Sequence, residues 1–235
     1  MADRMLPYSE IPITMIEADF LSASEFRVCL ALHSLNFYKE IFPSQNELAD
    51  KAGLSRITVV RVLDELKSKG IIEIKPRTTE NGRFTTNEYS FVYGGWNEWY
   101  AKRFGDLRAP KFSGKKIILK ETSVKDSETV EVVENKTPFV RAYNDFIFSD
   151  RLKADELRVF LYLKRFSNCK EIYPSYKMIC ERTNLSKHSV VNAINSLSEK
   201  GLLEKLETIL AEGGHGSNRY LIKNDPEIRE WLKNK

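Results

Sequence analysis

Two short stretches hold the side chains best suited to recognising another molecule. One runs Ser55-Arg56-Ile57-Thr58-Val59-Val60-Arg61. The other runs Ser186-Lys187-His188-Ser189-Val190-Val191-Asn192, with Asn195 a turn later. Each mixes hydroxyls with cations or amides and branched apolar groups, and neither holds a carboxylate. Such a set can neutralise anions, donate and accept hydrogen bonds on flat polar edges, and press an apolar surface against a methyl group. That is the chemistry of recognition. Bond-making chemistry has little to work with. There is no G-x-x-x-x-G-K-[ST] loop. The three histidines, His33, His188 and His215, form no metal-binding pair, and no His-x-His motif occurs. Carboxylates are scattered without a visible cluster. The three cysteines, Cys29, Cys169 and Cys180, form no C-x-x-C pair, so buried reduced thiols are expected rather than disulfides or a zinc site. The expectation is a non-enzyme with no cofactor and no metal.

The elements that must position these stretches read the same way in both. Ser55 and Ser186 are N-caps, because a serine oxygen can take an orphan amide at a helix start. Val59, Val62, Leu63 and Leu66 then recur at one helical face, as do Val190, Ala193, Ile194 and Leu197. With those faces turned to a core, Arg56, Ile57, Thr58, Val60, Arg61 and Asp64 point outward. So do Lys187, His188, Ser189, Val191, Asn192 and Asn195. Val60 and Val191 are thus expected to be exposed, which is wasteful unless they touch a partner. A helix opening at Ser44-Gln45-Asn46-Glu47 carries a capping box and ends at Gly53. An earlier helix runs from Ser24 to about Leu35, with Phe26 and Leu30 on its core face. Gly70 closes the third helix, and extended runs at 71–77 and 85–92 flank an Asn81-Gly82 turn, a strong hairpin signal.

The likeness of the two stretches extends well beyond them. A shift of 131 residues carries Leu21, Arg27, Pro43-Ser44, Gly70, Gly82, Asn87 and Tyr89 onto Leu152, Arg158, Pro174-Ser175, Gly201, Gly213, Asn218 and Tyr220 without a gap. One register held through helices, turns and strands means a duplicated domain, since solenoid units are far shorter. Helix, helix, turn, helix, hairpin is a winged helix-turn-helix. The expected fold is therefore α+β, mainly helical, with two tandem winged helix-turn-helix domains. The boundaries read as 1–93 and 138–235, joined by a charged, aromatic-containing linker at 94–137. A chain of 235 residues suits two such domains.

In a winged helix the third helix presents its N-terminal residues to base edges in the major groove. Arg56 and Arg61 suit guanine edges or phosphates, Thr58 a phosphate, and Ile57 or Val60 a thymine methyl. An asparagine such as Asn192 or Asn195 can pair bidentately with adenine. Lys75, Arg77 and Arg83 make the first hairpin a clamp on phosphate or the minor groove. A net charge of +4 is compatible with a polyanion and proves nothing alone. The two heads share a scaffold but offer different reading surfaces.

The pattern P-S-x-x-x-L-A-x-x-x-G-L-S-x-x-T-V-x-R-x-L-x-x-L-x-x-K-G-I-I at Pro43 to Ile72 resembles the winged-helix domains of bacterial and phage DNA-binding proteins. The preceding stretches EIPITMIEADFLSASEFRVCLAL and TPFVRAYNDFIFSDRLKADELRVFLYL resemble those of plasmid replication initiators and DnaD-type phage replisome organisers. The resemblance implies sequence-specific binding of double-stranded DNA, used in replication initiation. The alternative is transcriptional regulation at a promoter or operator. A non-catalytic protein-interaction scaffold is the rival class. A homodimer, or a replication or transcription protein, is a further partner the resemblance allows. Trp96 and Trp99 open one more option, stacking on single-stranded bases, against the plainer reading that they cover a domain face. Ile117 to Lys120 and Val130 to Glu134 read as short strands. No run of about 18 apolar residues occurs, so no membrane span and a cytoplasmic location are expected.

Overall fold

A computed structural model describes residues 8–36, 42–92, 96, 99, 102–103, 139–166, 174–206 and 218–234. The linker strands read at 117–120 and 130–134, the second hairpin tip, Cys169 and His215 lie outside these residues.

The first half runs β1 (Tyr8–Pro12), α1 (Ile13–Ile16), α2 (Ala23–Asn36), α3 (Gln45–Ala52), α4 (Arg56–Ser68), β2 (Ile72–Lys75) and β3 (Glu88–Phe91). The second half repeats the order as β4 (Phe139–Tyr143), α5 (Asn144–Ile147), α6 (Ala154–Lys164), α7 (Tyr176–Thr183), α8 (Lys187–Glu199), β5 (Leu203–Leu206) and β6 (Arg219–Ile222), then adds α9 (Asp225–Lys233). Each half is a winged helix-turn-helix, and the duplication is visible element by element. The local causes are those the sequence carries. Ser44 and Glu47 form a full capping box on α3. Gly53 turns the chain at φ 65° between α3 and α4, and Asn184 does so at φ 53° between α7 and α8. The Asn is one of the few non-glycine types that tolerate this conformation. The expected apolar stripes are the buried faces of α4 and α8, residue for residue.

The hairpins pair in register, Ile72 with Phe91 and Lys75 with Glu88 in one, Leu203 with Ile222 and Leu206 with Arg219 in the other. Regular pairing is shorter than the extended runs in the sequence. Beyond Lys75 the first hairpin continues as a narrow arm, held by an isolated bridge between Thr78 and Phe84.

The halves do not hang as beads on a string. They share one hydrophobic core. β1 pairs antiparallel with β4 in the register Tyr8–Tyr143, Glu10–Arg141, Pro12–Phe139. The 131-residue shift maps Tyr8 to Phe139, Glu10 to Arg141 and Pro12 to Tyr143, so the ladder maps onto itself. A local two-fold axis therefore passes between Glu10 and Arg141. Two arginines obey the same symmetry. Arg158 is buried and donates to the carbonyls of Ile16 (3.1 Å), Ala18 (2.8 Å) and Leu21 (3.1 Å) in the first half. Its counterpart Arg27 donates to Ile147 (3.1 Å) and to the Leu152 carbonyl in the second. Ile147 and Leu152 are themselves the copies of Ile16 and Leu21.

This interlock corrects the expectation of a single core face on the first helix. In α2, every residue from Val28 to Leu32 is buried, and in α6 every one from Glu156 to Lys164. Each helix packs on its own head and on its copy, α2 against α6, so it has little solvent side left.

Candidate nucleic-acid interface

α4 and α8 reach the surface at their N-terminal ends. The Ser55 hydroxyl accepts the Thr58 amide at 3.2 Å and lies 2.8 Å from the Thr58 hydroxyl. Ser186 accepts the Ser189 amide at 3.0 Å, its hydroxyl 3.1 Å from that of Ser189. Neither first turn contains an acidic residue. Carboxylates usually collect there because the helix dipole favours negative charge at this end. Two helix starts that leave that field uncompensated are suited to an external anion.

Around the first helix start the structure places Arg56, Ile57 and Arg61 on the exposed side. Arg56 hydrogen-bonds Gln45 on α3 at 3.1 Å, which aims the guanidinium across the helix-turn-helix. Ile57 is 83% exposed and shares a shallow surface groove with Val60, Arg56 and Arg61. Arg61 pairs with Glu65 at 2.9 Å, a solvent-facing contact worth little and easily exchanged for another partner. Thr58 and Val60 are half-buried. In the second head Lys187, His188, Asn192 and Asn195 are exposed, while Ser189 and Val191 are half-buried. The Asn192 amide nitrogen lies 2.9 Å from His188 Nε2, so these two act as one polar unit.

One expectation is overturned here. Val60 and Val191 are half-buried rather than exposed, although Val60 still lines the outward groove with Arg56, Ile57 and Arg61. The exposed apolar side chain of the first reading surface is Ile57, and the second head has a histidine at the matching position.

The first hairpin stands beside this surface. Lys75 is exposed and 4.0 Å from Glu73. Arg83 is exposed on the arm. Arg77 is half-buried with its guanidinium 3.2 Å from the centre of the Phe42 ring, so its reach is set by stacking. A cleft runs between the N-terminus of α3, the start of α4 and the hairpin. Ser44, Gln45, Asn46, Arg56, Thr85 and Asn87 are among its lining. Sequence reasoning missed Gln45, Asn46, Thr85 and Asn87 as neighbours of Arg56. The signal available was the Ser44 cap, which fixes where α3 begins, but the hairpin's approach is a tertiary fact.

Trp96 is buried and packs edge-on against Phe20 and Phe91, with centroids 5.5 and 6.0 Å away. Trp99 packs on Phe20 at 5.0 Å. A ring enclosed like that of Trp96 offers no face to a base, so Trp96 takes the covering role, while Trp99 is half-buried. Among the described residues no group of three metal-ligating side chains converges. Burial raises the thiol pKa of Cys29 and of Cys180 above the ordinary value. No helix among those residues is long and apolar enough to cross a membrane.

Residues 19–72 and 150–203 each match the family described as helix-turn-helix domain. Among solved structures, a protein titled "Possible transcriptional regulator from Methanosarcina mazei Go1" is 21% identical. The match covers 35% of this chain and 65% of that one, with a TM-score of 0.30. No curated protein matches.

Proposed function

We propose that the chain is a non-catalytic, sequence-specific binder of double-stranded DNA that reads one bipartite site with two unlike heads. The observation that carries this reading is the pair of serine-capped, acid-free recognition helices on two helix-turn-helix units. Arg56, Ile57 and Arg61 serve as direct readers in the first head, with Thr58 and Ser55 near phosphate. Lys187, His188, Asn192 and Asn195 read in the second, where Ser186 and Ser189 take the phosphate role and Val60 and Val191 add flank contact. Lys75, Arg77 and Arg83 hold the backbone beside the first half-site.

The two-fold axis at the Glu10–Arg141 pair adds an orientation. A two-fold that carries one half of a duplex onto the other must be perpendicular to the DNA axis. Heads that dock alike therefore meet half-sites in inverted, not direct, order. Their side chains differ, so the halves are unlike in sequence. Replication initiation on a plasmid or phage is the favoured use, supported by the resemblance of the stretches before each head; promoter control is the alternative.

Selection of bound duplexes from a random pool near physiological salt tests the proposal. The expected product is a composite motif of two unlike, inverted halves, with Arg56→Ala/Arg61→Ala erasing the information in one half and flattening the salt dependence. Recovery of a direct repeat would refute the orientation. Recovery of no motif would leave a protein scaffold as the better reading.

A further inference from the structure

Phe84 is 83% exposed, nearly twice the figure for the next most exposed described phenylalanine, Phe139 at 43%. It does not sit on a loose loop. Thr78 and Phe84 form a bridge, the Thr79 amide donates to the Arg83 carbonyl at 2.8 Å, and the Thr85 amide to the Arg77 carbonyl at 2.9 Å. Gly82 closes the turn at φ 74°. The backbone thus holds a large apolar ring out in water on a framed arm. The fold does not require the ring, since the 131-residue shift places His215 there in the second copy.

Side chains alternate across a paired arm. Phe84 and Thr78 therefore share one face, and Arg77 and Arg83 share the other. Of the arm's carboxylates, Glu73 and Glu88 lie at its base, and Glu80 is exposed in the tip turn just beyond the Thr78–Phe84 bridge. A narrow blade with Arg83 exposed on one side, Arg77 stacked on Phe42 at its base and an exposed ring on the other matches the minor groove. There, arginine is drawn by the negative potential, and apolar side chains enter base steps, unstack them and bend the duplex.

We propose that Phe84 is an intercalating wedge. When the first head seats on a duplex, the ring enters a minor-groove base step beside that half-site and kinks the DNA on that side alone. The inference rests on the DNA-binding reading above and adds to it a deformed DNA as the bound form. It also makes Phe84 a determinant of specificity, because flexible pyrimidine–purine steps yield most readily.

The full chain is tested on the selected bipartite duplex, with 2-aminopurine placed at successive flanking steps, and on permuted fragments of about 150 bp, one DNA persistence length. One probe beside the first half-site should brighten, and the bend should map off the dyad toward that head. Phe84→Ser should abolish both signals while weakening binding by about tenfold or less, about 1.4 kcal/mol. Phe84→Leu, still an apolar wedge, should restore much of the bend. Tight binding with no brightening and no bend, a bend centred on the dyad, or a Phe84→Ser protein indistinguishable from wild type would each overturn the wedge and leave DNA binding standing. Failure of the wild-type chain to bind any duplex would overturn both.

Discussion

Arg158→Met would remove the buried guanidinium while keeping most of the stem volume. Arg158 is 3% exposed, donates to three carbonyls of the other half and lies 4.6 Å over the Phe26 ring. Burial pushes its pKa down to about 10, a measure of how poorly water reaches it. The Ala18 carbonyl keeps a second donor, the Leu21 amide at 3.3 Å. The Ile16 and Leu21 carbonyls lose the charged donor, at about 1–3 kcal/mol each when left unpaired. The ring contact adds up to about 2 kcal/mol. Relief from burying a charge offsets part of this, so a net loss of about 3–4 kcal/mol is expected. For a urea dependence of about 2 kcal/mol/M the midpoint should fall by about 1.5–2 M. Arg27→Met is the matched control: its side chain is only half-buried and holds two carbonyls, so about half the loss is expected. Urea titration followed by circular dichroism reads both. A loss under about 1 kcal/mol for Arg158→Met, or a larger one for Arg27→Met, would refute the view that the second half's arginine is the main tie between the halves.

Glu17 is fully buried and accepts from Arg182 at 3.0 Å and from Arg165. Glu17→Gln removes the charge both arginines face; because they keep some access to water, a loss of about 2 kcal/mol, or 4–8 °C in Tm, is expected by calorimetry. A shift below about 1 °C would mean the triad contributes only geometry. His33 is held below its ordinary pKa by burial, opposed by the bond from Nε2 to the Glu10 carbonyl at 2.7 Å. The unfolded chain then binds the proton more readily, so stability should fall as the pH drops below about 6.5 toward the folded-state value. Urea midpoints at pH 7.5 and 5.5 should differ more for the wild type than for His33→Gln; an equal difference would remove His33 from the account.

The helix starts, the core stripes and the turn glycines were legible because each is local. Ser55, Gly53 and the Val59–Leu66 face act within a few residues, and periodicity reports them directly. The interlock was not legible. Tyr8–Pro12 pairs with a strand more than a hundred residues away, and its five residues carry no feature that names their partner. The repeat itself held a clue in Arg27 and Arg158, arginines kept in register inside apolar helices. A charge retained at such a place needs acceptors, and each finds them in the opposite half. The half-burial of Val60 and Val191 is illegible in the sequence for a related reason. A helical wheel ranks positions by angle and cannot tell a flank that neighbours cover from one that water covers. Ile57 and Phe84, the two most exposed large apolar side chains among the described residues, follow from tertiary placement alone.

The symmetry of the interface is broken at defined places, and the breaks decide which halves can pair. On the axis Arg141 meets Glu10 at 2.8 Å. Two first halves pairing in the same register would set Glu10 against Glu10, and two second halves Arg141 against Arg141. Away from the axis the shift maps Glu17 to Phe148, and maps Lys51 and Ser34 to Arg182 and Arg165. At one end a buried carboxylate is held by two arginines; at the other Lys51 lies 4.8 Å over the Phe148 ring. A pair of first halves would bury Glu17 beside a single lysine, and a pair of second halves would leave four arginines facing two phenyl rings. The unlike pairing is therefore favoured by charge at two points, the Glu10–Arg141 pair and the Glu17 triad, and linkage in one chain adds effective concentration to it. A homodimer must present the same side chains twice. Once the pairing is unlike, the first reading surface is free to carry Arg56, Ile57 and Arg61 while the second carries Lys187, His188 and Asn192. The unlike interface thus permits two unlike exposed helix faces on one chain.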